Sequence, residues 1–171
     1  SPIVDKDALS EGLQHFGAVF NKKYIEIMSA KLGIESANEA MVVDTLSMMV
    51  ENQLDYSYFF RRLSDIEDKE TEQLLRDLCP NPPSFDQWLT HYRSAIESDP
   101  RTQEQRRKAM KLANPKYILR NHLAQKAISE AEKGDYTELR TLHTLLQRPF
   151  DEQESFSAYA DLPPDWAAGI E

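Results

Sequence analysis

A chain of 171 residues, 40% hydrophobic and 29% charged, is long enough for one domain with its own core and too apolar to be disordered. A net charge of −9 disfavours nonspecific binding to phosphate backbones, and no run approaches the roughly 18 apolar residues that cross a bilayer. The single cysteine, Cys79, excludes an internal disulfide framework and suits a reducing compartment.

The start, SPIVDKDALSEG, lacks the basic end and apolar run of a signal peptide. Both ends are abrupt and read as those of a piece excised from a longer protein. Asp5 or Asp7 is expected to cap a first helix running toward Lys31, with Leu9, Leu13, Phe16, Phe20, Tyr24, Ile27 and Met28 recurring at three or four residues in an amphipathic pattern. Gly12 and Gly17 weaken it by roughly 1 kcal/mol each, and Gly33 stands where a C-terminal cap belongs. Ser36 or Asn38 caps a second helix carrying Met41, Val42, Leu46, Met49, Val50 and Leu54. Tyr56, Phe59, Phe60 and Leu63 fit a short third helix, and Asp68 caps a fourth from Lys69 to Leu78.

Three prolines within CPNPPS, residues 79–84, interrupt helix and suggest a hinge or tight connector. Ser84 is then expected to cap a fifth helix with Phe85, Trp88, Leu89, Tyr92 and Ile96 inward, ended by Asp99 and Pro100. A sixth helix, rich in Gln, Arg and Lys, runs from Pro100 or Arg101 to about Leu112. Asn114-Pro115 opens a seventh, closed by Gly134-Asp135, with Tyr117, Ala124, Ala127, Ile128 and Ala131 on one face. Thr137 caps an eighth through Leu139, Leu142, Leu145 and Leu146 to Pro149. The tail, 149–171, is acidic and irregular, with Tyr159, Leu162 and Trp166 as anchors. No period-two strand pattern appears, so the fold class is all-α, an irregular array of about seven or eight helices in one domain, 1–171.

Catalytic signatures are scarce. His15, His91, His122 and His143 do not pair at helical spacing, and no metalloprotease, EF-hand, nucleophile-elbow or glycine-rich phosphate-loop pattern occurs. No catalytic or metal-ligating residue is therefore named. Cys79 reads as a partly buried structural thiol, since nothing nearby in sequence would lower its pKa. The aromatic run Tyr56, Tyr58, Phe59 and Phe60 reads as core. The basic run Arg101, Arg106, Arg107, Lys108 and Lys111 reads as a solvated face, or as a dock for an acidic surface, ahead of a nucleic-acid site. Arg120 and Asn121 are the candidate anion-binding pair, because a helix N-terminus already favours negative charge. The competing reading is a buried network with Arg120 paired to a carboxylate from elsewhere in the chain.

NPKYILRNHLAQKAISEAEKGDYTEL, then LLQRPFDEQ and YADLPPDWA, resembles the C-terminal region of the selenoprotein O family, called YdiU in bacteria. DYSYFFRRLS and YIEIMSAKLGI resemble that family's preceding helices. The resemblance implies a protein-kinase-like fold and transfer of AMP from ATP to Ser, Thr or Tyr hydroxyls of proteins, with Mg²⁺ or Mn²⁺. The family's nucleotide-binding lysine, catalytic aspartate and metal-binding Asn and Asp match no segment here, so no catalytic residue carries over. The family's short Ser- and Cys-containing tail would begin where the chain stops.

The resulting expectation is the noncatalytic C-terminal helical portion of a protein adenylyltransferase, itself without cofactor. Its partner would be the missing kinase-like core of the same chain. Protein substrates would belong to the parent, and no nucleic acid or membrane is expected. Such a piece should expose an apolar face, or dimerise through it. The location would be cytoplasmic in a bacterium and mitochondrial in a eukaryote. The alternative is a freestanding helical protein–protein interaction module.

Overall fold

The computed structural model describes residues 6–35 and 37–167. Among them are eight α-helices, two short three-ten segments and no strand: α1 Lys6–Leu32, α2 Glu39–Glu51, α3 Tyr56–Leu63, α4 Lys69–Asp77, α5 Pro82–Glu97, α6 Gln103–Ala113, α7 Asn121–Glu132 and α8 Thr137–Gln147, then Glu154–Ala160 and Asp165–Ala167. The all-α reading holds. No helix among the described residues is long and apolar enough to cross a membrane.

Local chemistry sets most helix starts. Asn38, Asp55 and Asp68 accept backbone N–H bonds from Met41, Tyr58 and Thr71 at the starts of α2, α3 and α4. Thr102 and Gln105 form a reciprocal capping box on α6. Asp5 and Ser36, two further expected caps, lie outside the described residues, and Thr137 is the first residue of α8 rather than its cap, with Tyr136 at the N-cap position. The break in CPNPPS is shorter than its prolines suggest. Pro82 and Pro83 stand inside the first turn of α5, where a missing N–H costs no bond, so Ser84 is not its cap. Ser84 Oγ instead accepts from the amide of buried Asn52, whose own carbonyl takes the Asn81 N–H at 2.9 Å.

The core lies between the C-terminal turns of α1 and helices α2–α6. Phe59, Phe60, Phe85, Trp88 and Tyr92 form a continuous aromatic stack, with neighbouring centroids 5.1–5.8 Å apart. Its polar ends are satisfied: Trp88 Nε1–H donates to buried Thr45 at 3.0 Å, and the Tyr92 hydroxyl to the Leu32 carbonyl at 2.8 Å. On α2, Val42, Thr45, Met48 and Met49 turn inward, whereas Val50 is exposed. Helices α7 and α8 pack chiefly on each other, around a smaller cluster of Leu123, Ala127 and Leu142 with Tyr159.

One expectation is corrected. The seventh helix begins at Asn121, not beside Pro115. Residues 115–120 run outside helix because the Lys116 and Tyr117 N–H groups donate to the Pro149 carbonyl, at 2.8 and 3.1 Å. Tyr117 is therefore buried from that connecting segment, while Ile128 on the helix is exposed. The apolar stripe of α1 turns away from the core, in keeping with the expected exposed apolar face. Leu9, Leu13, Phe16, Phe20, Tyr24 and Ile27 are exposed, and only the turns around Met28 and Leu32 are covered.

Gly33 closes α1 with φ +67, and a Cβ there would collide with the Met110 and Arg106 side chains. Gly33→Ala is expected to destabilise the chain by about 1–3 kcal/mol, read as a lower urea midpoint with an unchanged m-value.

Candidate functional site

Two polar regions meet where the α7–α8 hairpin joins the six-helix body. The first is a cleft of 680 Å³ walled by α3, α4, the start of α7 and the Leu162–Pro164 segment. Arg120 occupies the N-cap position of α7, and no side chain caps that helix. Its guanidinium reaches back 65 residues to Asp55, with Nη1–Oδ2 at 2.5 Å and Nη2–Oδ1 at 3.1 Å. Burial pushes the Asp55 carboxyl up, but the Arg120 hydrogen bond and the Tyr58 and Ser57 amides hold it below the ordinary range. Nε of Arg120 is sealed from solvent and has no acceptor among the described residues. Arg120 is thus matched by a carboxylate of its own chain while it lines the cleft. Asn121 lines the cleft as the first residue of α7. His122 stands next to it, its pKa lowered by burial and by Arg120, with its ring edge-on to Trp166.

The second region is a basic-walled cleft of 410 Å³ around Arg61. The Arg61 side chain, 10% exposed, donates through Nη1 to the carbonyls of Lys111, Asn114 and Phe150 at 2.9–3.3 Å. Nη2 donates to Glu152 Oε1 at 2.6 Å. Glu152 also receives Lys116 at 2.8 Å and Lys111 at 3.2 Å. Burial raises the Glu152 pKa, but the lysine hydrogen bonds and the Arg61 charge outweigh it and bring it down to about 2. Asp65 pairs with Arg107 and, at 3.1 Å, with Lys111.

The basic run of α6 is therefore not a continuous positive face. Arg101 is held by Asp99, Arg106 by Glu67, and Arg107 and Lys111 by Asp65. Four of the five cations of the run Arg101, Arg106, Arg107, Lys108 and Lys111 thus dock on carboxylates of the same chain. Cys79 is buried, its thiol donating to the Leu75 carbonyl at 3.3 Å, and burial pushes its pKa up to about 11. It is a poor nucleophile. Among the described residues no three His, Cys, Asp or Glu side chains converge as a metal site. Sequence reasoning placed Arg120 and Asn121 but missed Asp55, Arg61, Glu152 and Asp65. The available signal was Arg61 directly following Phe59-Phe60 in a helix of eight residues.

Asp55→Ala is expected to cost about 3 kcal/mol or more in denaturant unfolding, since it strands a buried guanidinium and removes the α3 cap. Arg120→Met should cost less, because Asp55 remains partly solvated and still caps. A double-mutant cycle should return a coupling between the two. For Glu152, a folded pKa of about 2 lies below its ordinary 4.5. Its contribution is thus present above about pH 4.5 and lost as pH falls toward 2. Glu152→Gln should flatten the acid limb of stability against pH by on the order of 1 kcal/mol, a small figure because its carboxylate is half exposed.

A family model described as Protein adenylyltransferase SelO matches residues 1–147. The protein nucleotidyltransferase YdiU of Pseudomonas aeruginosa (strain LESB58) is 40% identical over 174 residues, covering 100% of this chain and 36% of that protein. Its namesake in Pseudomonas fluorescens (strain SBW25) is 39% identical over 175 residues, with 100% and 36% covered. That of Pseudomonas entomophila (strain L48) is 38% identical over 172 residues, with 99% and 35% covered. The chain thus spans little more than a third of the length of these curated relatives, and it belongs to the protein adenylyltransferase SelO family.

Proposed function

We propose that this chain is the noncatalytic C-terminal helical portion of a protein adenylyltransferase. In the reaction assigned to the parent, a Ser, Thr or Tyr hydroxyl of a protein attacks the α-phosphorus of ATP. The new oxygen–phosphorus bond forms as the bond to pyrophosphate breaks, and the hydroxyl proton leaves. ATP and Mg²⁺ or Mn²⁺ belong to the portion of the parent outside these 171 residues, which would carry the kinase-like core. The role of this portion is to buttress that core.

The observation carrying the reading is that the relatives named as nucleotidyltransferases match over the whole of this chain, yet the match fills only 36% of their length. The use of charge supports it. Arg61, Arg106 and Arg120, the buried cations, each face a carboxylate of this chain, so they are engaged as scaffold rather than presented to a nucleotide. Arg120 and Asn121 are accordingly assigned to positioning α7, not to binding an anion.

The test compares the 171-residue chain with its full-length parent. Each is incubated with ATP labelled in the α-phosphate, a divalent cation and a protein acceptor. Labelling by the parent and none by the short chain is expected; robust AMP transfer by the short chain alone would sink the proposal.

A further inference from the structure

Helix α1 places apolar surface where an independent domain would place polar surface. Leu13, Phe16 and Phe20 are 64%, 66% and 55% exposed, and Leu9, Tyr24 and Ile27 extend the same side. The rings of Phe16, Phe20 and Tyr24 stack along the helix at 6.0 and 6.1 Å between centroids, which turns separate side chains into one flat strip. From Leu9 to Tyr24 the strip is about 24 Å long. Scattered exposed apolar residues are ordinary, but a contiguous strip of this size marks an interface.

The same turns are poorly supported from within. Helix α1 meets α2, α3 and α6 through its C-terminal part, where Ile25, Met28 and Leu32 join the core. Gly12 and Gly17 interrupt the unsupported part, and a Cβ at either would meet nothing within 4 Å. Each glycine costs such a helix roughly 1 kcal/mol, and helical stretches of this length are marginal without a packed face. A covering surface would supply the missing stabilisation, and the two glycines would let its backbone approach closely.

We infer that the Leu9–Tyr24 face of α1 is the seam on which the remainder of the parent polypeptide packs. The inference rests on the reading that this chain is a portion of a longer enzyme, and it names the surface that makes the join. Two observations favour this occupant over a second copy. The strip lies inside residues 1–147, which the family model matches, so it belongs to the family's common framework rather than to an appendage of this chain. The relatives carry about two-thirds of their length outside the match, a mass that must contact this portion somewhere. Elsewhere the buried cations Arg61, Arg106 and Arg120 are paired within this portion, and among the described residues α1 carries a long run of exposed apolar side chains.

Hydrogen exchange read by mass spectrometry tests the seam. Peptides covering residues 9–24 are followed in the full-length parent and in the 171-residue chain, with sedimentation recorded on both. The expected result is exchange at least about a hundredfold slower in the monomeric parent than in the monomeric short chain. Equal rates in the two monomers would overturn the inference. So would protection that, in either protein, appears only with dimer formation and fades on dilution, since that assigns the face to a second copy. AMP transfer by the parent is measured on the same samples. A parent that transfers AMP while residues 9–24 exchange freely defeats the seam alone. A parent that protects them without transferring AMP defeats the functional reading alone.

Discussion

The guanidinium of Arg61 is the contact on which the arrangement of the remaining parts depends. It sits at the end of α3 and reaches the last turn of α6, the Asn114 carbonyl, the Phe150 carbonyl and Glu152. These groups come from both strands of the connection that carries the α7–α8 hairpin. An arginine so far removed from water is tolerable only if nearly every N–H finds an acceptor. That demand fixes where the segments 114–120 and 148–153 cross. Asn114 extends the junction, since its side-chain amide donates to the Lys31 carbonyl near the end of α1 at 2.9 Å. One polar knot thus ties the C-terminal ends of α1 and α6, helix α3 and the hairpin together.

Charge and hydrophobicity are distributed unusually for a chain of net charge −9. Several cations turn inward and are neutralised by local carboxylates, while the longest apolar stripe, on α1, turns outward. In a self-sufficient domain the stripe would be the first surface buried, because apolar area is worth roughly 25 cal/mol per Å² removed from water. The inversion is coherent if the polar knots hold this portion's own elements in place and the stripe joins it to something larger. The match to just over a third of each relative's length points the same way.

Most helices were legible in the sequence for reasons that are local. Asn38, Asp68 and the turn at Gly33 act within a few residues, and the inward set Phe85, Trp88, Leu89, Tyr92 and Ile96 needs only a helical period and one buried face. What the sequence left open shares a different cause. The spacing of Leu13, Phe16 and Phe20 showed that a face exists, but periodicity cannot say what covers it. The stretch after Pro115 has helical composition, yet its first N–H groups are claimed by Pro149, more than thirty residues on. Of the candidate site, Arg120 was visible by its place beside a helix start. Its partner Asp55 was not, because a sequence 65 residues apart carries no record of the pairing.

By itself, then, the sequence determined the fold class, some of the caps, the apolar faces and the family, since these rest on residue type, short-range spacing and ordered motifs. Only the tertiary structure decided which cations were neutralised, where the seventh helix began and which apolar face was left uncovered. Those outcomes depend on desolvation: a buried charge or amide takes whichever acceptor the packed chain brings within about 3 Å, and that proximity is set by the fold as a whole.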